Sequence, residues 1–333
     1  MVGGIRYRGV ESGQGLERMT STSTPAVVIA GPTASGKSGL AVRIAREFGG
    51  VVINADSMQV TDALPLLTAR PAPGDMALAP HRLYAVLPPT ELCSAARWRD
   101  MAAMEMAAAW QAGMLPILTG GTGLYLKAVM EGLSPIPEIP ESIRAEARTL
   151  LAEMGNAAFH NRLAKHDPLM AERLDSGNSQ RLARAWEVVT ATGRSLAEWQ
   201  DEPREGAVEA RWFSLVLDPE RPRLYAQCES RFRAMVTAGA LDEVRDFEAL
   251  RLPPDLPIQK ALGRRELAAH LAGETDLDTA IAAACQATRN YAKRQGTWFR
   301  HQMMASLTAS EQLSESLIAT IFLKIRQHLL TAP

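Results

Sequence analysis

The apolar positions of this chain alternate between short continuous runs and helically spaced stripes. Pro25–Ala30 is an apolar run that stops at Gly31, the pattern of a strand buried on both faces. Ser38–Phe48 follows with Leu40, Ile44 and Phe48 at helical spacing. Val51–Ile53 reads as a second strand and Leu83–Leu87 as a third, stopped by Pro88 and Pro89. Cys93–Ala112 is Ala- and Met-rich and ends at Gly113, which predicts a long helix. Leu115–Thr119 is a fourth strand, followed by Gly120, Gly121 and Gly123. Strands alternating with helices predict an α/β fold: a parallel sheet with helices on both faces.

The alternation breaks at the Pro-rich stretch Ser134–Pro140. From Glu141 to about Gln200 the pattern is almost purely helical. A strand returns at Trp212–Leu217, and helices follow to the end. These shifts divide the chain into a first core part (residues 25–137), a helical insertion (138–205) and a core completion with C-terminal helices (206–333). Residues 1–24 are rich in Gly, Ser and Thr and have no apolar stretch of signal-peptide type. They are expected to be a disordered extension, with Met19 as a candidate start.

Composition narrows the class. Lys and Arg number 36 against 37 Asp and Glu, a net charge of -1, which argues against a surface that is basic throughout. Hydrophobic residues make up 47% of the chain, enough for a sizeable core. Cys93, Cys228 and Cys285 lie far apart, so neither a disulfide framework nor a zinc site is expected, and a reducing, cytoplasmic location is the default. The uncharged run Met106–Leu126 is interrupted by Gly113, Pro116 and the Gly-Gly-Thr-Gly cluster, so it reads as helix end, strand and turn, not a membrane span.

Chemistry enters at Gly31-Pro32-Thr33-Ala34-Ser35-Gly36-Lys37-Ser38, which matches GxxxxGK[ST] between a strand and a helix. Small residues let backbone N–H groups curl around phosphate oxygens, and the helix N-terminus adds positive potential. In this pattern Lys37 neutralises the terminal phosphate and Ser38 places its hydroxyl on Mg²⁺. The sheet is thus expected to be of the P-loop NTPase type. The motif leaves the use of the phosphate open. A small-molecule or nucleotide kinase would carry it equally well. Asp56, just past the second strand, could serve a metal or act as a base.

Four more segments accompany the loop: Val52-Ile-Asn-Ala-Asp-Ser-Met-Gln-Val60, Gly120-Gly-Thr-Gly-Leu-Tyr125, Gln180-Arg-Leu-Ala-Arg-Ala-Trp-Glu187 and Thr288–Arg300. With the phosphate loop, their content and order resemble the tRNA dimethylallyltransferase family, from Val27 to about Arg300. The resemblance implies transfer of a dimethylallyl group from dimethylallyl diphosphate to N6 of adenosine 37 in tRNA, with Mg²⁺ as cofactor. The phosphate loop would then hold the diphosphate leaving group. Asp56 would be the general base, Thr122 would assist at the reacting centre, and Arg221 would reach the diphosphate. The resemblance also sets Asp56, Ser57, Met58, Gln59 and Thr122 beside the target adenosine. It sets Arg144, Gln180, Arg181, Leu182, Ala183 and Arg184 against the tRNA, with Gln259, Lys260 and Arg264 as a second RNA-facing loop.

The chain departs from the family pattern at Thr61, where an aromatic is usual, at Asn178-Ser179, at Gly263-Arg264 and at Gln227-Cys228. No Asp or Glu occurs between Asp278 and Glu311, where Arg289, Lys293, Arg294 and Arg300 are interleaved with Tyr291, Trp298 and Phe299. Arg289 and Lys293 share a helical face suited to phosphates, and the aromatics are expected to pack inward on the core. The expected partner is the tRNA anticodon stem-loop, bound by a monomer.

Overall fold

Six parallel strands form the centre of the computed structural model, which describes residues 24–331. They are β1 (Pro25–Ala30), β2 (Gly50–Asn54), β3 (His81–Arg82), β4 (Leu115–Gly120), β5 (Arg211–Leu217) and β6 (Leu307–Ala309). The order across the sheet is β3-β2-β4-β1-β5-β6, and every ladder is parallel. This is the expected α/β architecture. The expectation of disorder for residues 1–23 lies outside the described residues.

Strand geometry sends successive side chains to opposite faces. Val27 and Ile29 of β1 join one core with Leu40 and Ile44 of helix Lys37–Phe48 and with Ile318, Ile321 and Ile325 of helix Glu315–Leu330. Ala26, Val28 and Ala30 face the other core. There they meet Trp98 and Met106 of helix Ala95–Gln111, Leu126 of helix Gly123–Glu131, and Phe299. The small alanines on this face leave room for the large rings of Trp98 and Phe299, both almost wholly buried.

Two further cores are helical. Helices Glu141–His166 and Ser179–Thr192 bury Phe159, Leu163, Leu182 and Trp186 between them. Helices Arg221–Thr237, Ala240–Ala249, Arg264–Leu271 and Leu277–Gln302 enclose Phe232, Val244, Phe247 and Leu267, together with Leu64 and Leu67 from the loop after β2. Glu243 accepts hydrogen bonds from Leu66 N (2.7 Å) and Leu67 N (3.0 Å), tying that loop to the helical roof. No helix among the described residues is long and apolar enough to cross a membrane.

The third strand differs from expectation. It is His81–Arg82, and the run Leu83–Leu87 is not extended, because Leu83 (φ 61°) and Ala85 (φ 52°) adopt left-handed backbone. Leu87 instead forms a single parallel bridge with Thr61. The long helix starts at Ala95, where the Ser94 hydroxyl accepts from Arg97 N at 3.1 Å and caps it. The last strand, β6, was not expected; three residues give too short a run to show an apolar pattern.

Candidate active site at the carboxyl ends of the strands

The phosphate loop leaves the carboxyl end of β1, at the centre of the sheet. Gly31 (φ 147°) cannot be another residue, since a Cβ there would lie 2.5 Å from the Leu217 carbonyl oxygen. Helix Lys37–Phe48 begins with no side-chain cap, so the backbone N–H groups of its first turn are left for an anion. The Ser35 hydroxyl is buried in the loop without a hydrogen-bond partner. Lys37 Nζ donates to the Pro32 carbonyl at 2.7 Å, a contact that an incoming phosphate oxygen can replace.

The acid beside the loop is held through its backbone. Asn54, fully buried at the end of β2, accepts from Asp56 N (2.9 Å) and donates to Asp56 O (3.0 Å) and to Leu83 O (2.9 Å). The Asp56 carboxylate in turn accepts from Met58 N at 3.0 Å. The turn after β4 docks on this segment backbone to backbone: a Cβ on Gly120 would lie 2.1 Å from the Ala55 carbonyl. Thr122 Oγ1 accepts from Ser57 N (2.9 Å) and donates to Ser57 Oγ (3.2 Å). Thr122 is thereby engaged with the residue next to Asp56.

The roof brings a group that sequence reasoning missed. Arg231 donates to the Thr33 hydroxyl of the phosphate loop and lines the cavity above it. Arg221, the arginine expected here, is exposed in the first turn of helix Arg221–Thr237 and lines neither chamber. Ten residues of helix separate the two by roughly 15 Å, so only one end of the helix can reach the loop. Gln295 is the second missed group. Its side chain accepts from Thr33 N (2.8 Å) and donates to Gly121 O (2.8 Å).

These elements enclose two adjoining chambers, of about 390 Å³ and 500 Å³, that share Thr33, Asp56, Thr68 and Arg231. The first is polar and follows the phosphate loop through Ser38, with Gln59 and Gln227 opposite. The second is more apolar, walled by Leu67, Phe232, Met235 and Leu262, with Gln180, Lys260, Tyr291 and Arg294 around it. Asp56 lies on the wall that the polar and the more apolar chamber share.

Burial sets the electrostatics. It lowers the Lys37 pKa to about 8; Arg231 adds to the drop and Asp56 opposes it. It raises the Asp56 carboxyl above its ordinary 3.8, outweighing the Met58 N–H, Lys37 and Arg231, which all favour the carboxylate. Burial also depresses Arg231, and with Asp56 it pushes the Tyr291 hydroxyl up to about 12. Two desolvated cations and one carboxylate face each other across the chambers, an environment that gains from a bound polyanion. The pH profile follows. Protonation removes the Asp56 carboxylate as pH falls through its raised pKa, and deprotonation removes the Lys37 charge as pH rises through about 8. The kcat/KM for an anionic substrate should therefore be bell-shaped, with its basic limb near 8. A profile flat from pH 7 to 10 would contradict the role of Lys37.

The comparisons with known proteins agree with one another. The family model described as IPP transferase matches residues 59–302. The tRNA dimethylallyltransferase of Rhodospirillum centenum is 54% identical over 283 residues, covering 85% of this chain and 90% of that protein. That of Rhodospirillum rubrum is 54% identical over 304 residues, covering 90% and 93%. The chain belongs to the IPP transferase family. Among solved structures, the full-length tRNA isopentenylpyrophosphate transferase of Bacillus halodurans superposes with a TM-score of 0.66 at 32% identity, covering 92% of this chain and 96% of that one. A eukaryotic dimethylallyltransferase acting on tRNA shares the fold, with a TM-score of 0.74 at 24% identity.

The RNA-facing residues expected of an IPP transferase are dispersed. Met58 and Gln180 line the second chamber with Lys260. Arg181 is exposed. Leu182 is 0% exposed and Ala183 9%, so both belong to the packing of the insertion and neither presents a side chain to RNA. The motif runs around its helix, so consecutive residues pass from the surface at Gln180 and Arg181 to the core at Leu182 and Ala183 and out again at Arg184. Arg184 pairs with Glu187 at 3.3 Å, and Arg144 is half-buried with its Nε unpartnered. Gln259 spends its amide on Leu252 O (2.9 Å) and Pro253 O (3.2 Å), and Arg264 is paired with Glu248. Gln59 donates to Thr68 O (2.8 Å) and Ala69 O (3.0 Å), holding a wall of the first chamber.

On the helix Leu277–Gln302, Arg289 lies 3.8 Å from Glu229, while Lys293 is exposed and lines an open hollow of about 450 Å³ with Asn290, Arg294, Thr297 and Trp298. The inward packing expected of the aromatics holds for Phe299, which is 1% exposed, and for Trp298, which lies against Gly123. It does not hold for Tyr291. That ring lines the second chamber, with the Arg294 guanidinium 5.6 Å from its centroid.

Proposed function

We propose that this chain transfers a dimethylallyl group from dimethylallyl diphosphate to N6 of adenosine 37 in tRNA, with both substrates meeting at Asp56. Membership of the IPP transferase family establishes tRNA dimethylallyltransferase activity acting on a tRNA adenosine. The observation that carries the finer reading is the pair of chambers joined at Asp56 and Arg231. The polar chamber suits the diphosphate and the larger one an unstacked base.

An adenine amine is a weak nucleophile, because its lone pair is delocalised into the ring. Asp56 takes the N6 proton as the new C–N bond forms to the allylic carbon. The C–O bond to the diphosphate breaks, and negative charge gathers on the leaving oxygen. Lys37, Arg231 and the N–H groups of the phosphate loop stabilise that charge. Thr122 holds Ser57 and thereby the segment that carries the base. The loop base is single-stranded, so moving it into the second chamber costs less than flipping a duplex base.

The donor set fits magnesium. The polar chamber is lined by the hydroxyls of Ser38 and Thr119 and by the Asp56 carboxylate, with no thiol or imidazole. Among the described residues no cluster of three or more His, Cys, Asp or Glu side chains could hold a metal alone. That matches an ion held by Ser38 and, for the rest, by diphosphate oxygens and water. When bound, magnesium offsets the charge of the diphosphate.

A tRNA transcript with guanosine at position 37 tests the assignment: it should accept no dimethylallyl group while the adenosine form does. Equal labelling of both would reject the position, and ATP turnover in place of prenyl transfer would favour the kinase reading. Binding should also be salt-sensitive. Lys293→Ala should weaken all tRNAs alike and reduce the slope of log affinity against log salt by about one. An unchanged slope would remove Lys293 from the interface.

A further inference from the structure

Gln295 lies on the buried face of its helix with Ala292, Gly296 and Phe299, and is a polar residue among them. It is 6% exposed, and both ends of its amide are used. Oε1 accepts from the Thr33 backbone N–H at 2.8 Å, and Nε2 donates to the Gly121 carbonyl at 2.8 Å. Thr33 belongs to the phosphate loop; Gly121 opens the turn in which Thr122 holds Ser57. A Cβ on Gly121 would meet Gln295 Nε2 at 2.2 Å, so the glycine is the space into which the amide reaches.

We infer that Gln295 is a positioning residue that clamps the phosphate loop to the Gly121–Thr122 turn, fixing the leaving-group side of the site against the base side. The inference rests on the proposed reading of the two chambers. Three features of the contact support it. The Gln295 amide joins Thr33 to Gly121 with a 2.8 Å hydrogen bond to each. It consumes the Thr33 N–H, which fixes which loop amides remain free for phosphate. An amide carries its acceptor and its donor on separate atoms, so it can bridge an N–H of one segment and a carbonyl of another without carrying charge. The charged groups around it are Asp56 beyond Gly121, Arg231 on the Thr33 hydroxyl and Lys37 on the Pro32 carbonyl. A charged side chain at this position would disturb all three.

Two substitutions test the clamp. Gln295→Leu removes both hydrogen bonds at similar volume. Gln295→Glu keeps the acceptor for Thr33 N–H but sets an oxygen against the Gly121 carbonyl. Each variant is compared with the wild type by single-turnover transfer rate, inorganic pyrophosphate affinity by calorimetry, tRNA affinity and thermal melting. Gln295→Leu should lose on the order of 10²-fold in rate, as a site misplaced by about an ångström does. It should weaken pyrophosphate about tenfold, since the loop loses an anchoring bond and Thr33 N–H is orphaned. Gln295→Glu should lose rate comparably; it keeps the loop-side bond but adds negative charge beside Lys37 and Arg231, so it too should weaken pyrophosphate, by about tenfold. tRNA affinity should stay within about twofold in both, since the contacts that hold tRNA lie elsewhere.

A Gln295→Leu enzyme with wild-type rate and pyrophosphate affinity would overturn the clamp. So would parallel losses of rate, pyrophosphate, tRNA and melting cooperativity in both variants, which would mark Gln295 as general packing. If the wild type itself failed to bind pyrophosphate, the reading of the polar chamber would fall, and the clamp with it.

Discussion

Asp56→Ala is expected to lower the transfer rate by about 10²- to 10⁴-fold, the range that a positioned general base supplies, while tRNA affinity stays near wild type. The separation follows from the structure. Asp56 is held through its backbone by Asn54, so truncating its carboxylate leaves the turn after β2 in place. The bond lost is the one from Met58 N, at the edge of the second chamber. Asp56→Asn is the sharper test. It keeps the shape and that acceptor but cannot take a proton, so it should be nearly as inactive as the alanine variant. Loss of tRNA binding together with rate, measured by filter binding on the same preparation, would withdraw the assignment of Asp56 as base.

The second large effect separates two arginines of one helix. Arg231→Leu should reduce the transfer rate by about 10²- to 10³-fold, as removal of a donor aimed at developing negative charge does. Arg221→Leu should leave it near wild type. Arg231 reaches the Thr33 hydroxyl and lines both chambers, whereas Arg221 is exposed at the helix start. Arg231→Lys should recover only part of the loss, because a single ammonium cannot reproduce the planar fork of a guanidinium. Inorganic pyrophosphate inhibition is the accompanying readout, weakened in Arg231→Leu and unchanged in Arg221→Leu. The opposite ranking would return Arg221 to the site.

The central strands were legible because a strand buried on both faces writes itself as a continuous apolar run. Pro25–Ala30 is β1 to the residue, and Val51–Ile53 and Leu115–Thr119 fall within β2 and β4. The phosphate loop was legible for a different reason: its glycines and lysine have fixed spacing between a strand and a helix. Leu83–Leu87 misled because its side chains are largely apolar and three of them buried, yet its backbone twists through positive φ, which residue type does not reveal. Arg231 could not be told from Arg221, since composition does not say which end of a helix crosses the sheet. Gln295 looked like one more polar residue on a basic helix; its burial depends on Gly121, a hundred and more positions away in the chain. The family motif named Leu182 and Ala183 together with Arg181 and Arg184, but only the arginines reach the surface of the insertion. Net charge was the weakest guide. A total of -1 conceals a stretch from residue 279 to 310 without Asp or Glu, whose Lys293 and Arg294 stand in the open.

The most direct measurement is of the product itself. The full chain is incubated with magnesium, dimethylallyl diphosphate and an unmodified tRNA carrying adenosine at position 37; the tRNA is then digested and its nucleosides are weighed. The two-chamber account predicts N6-dimethylallyladenosine and diphosphate in equal amounts, both lost in Asp56→Ala. Folded protein that binds the tRNA and dimethylallyl diphosphate yet forms no N6-dimethylallyladenosine would contradict it.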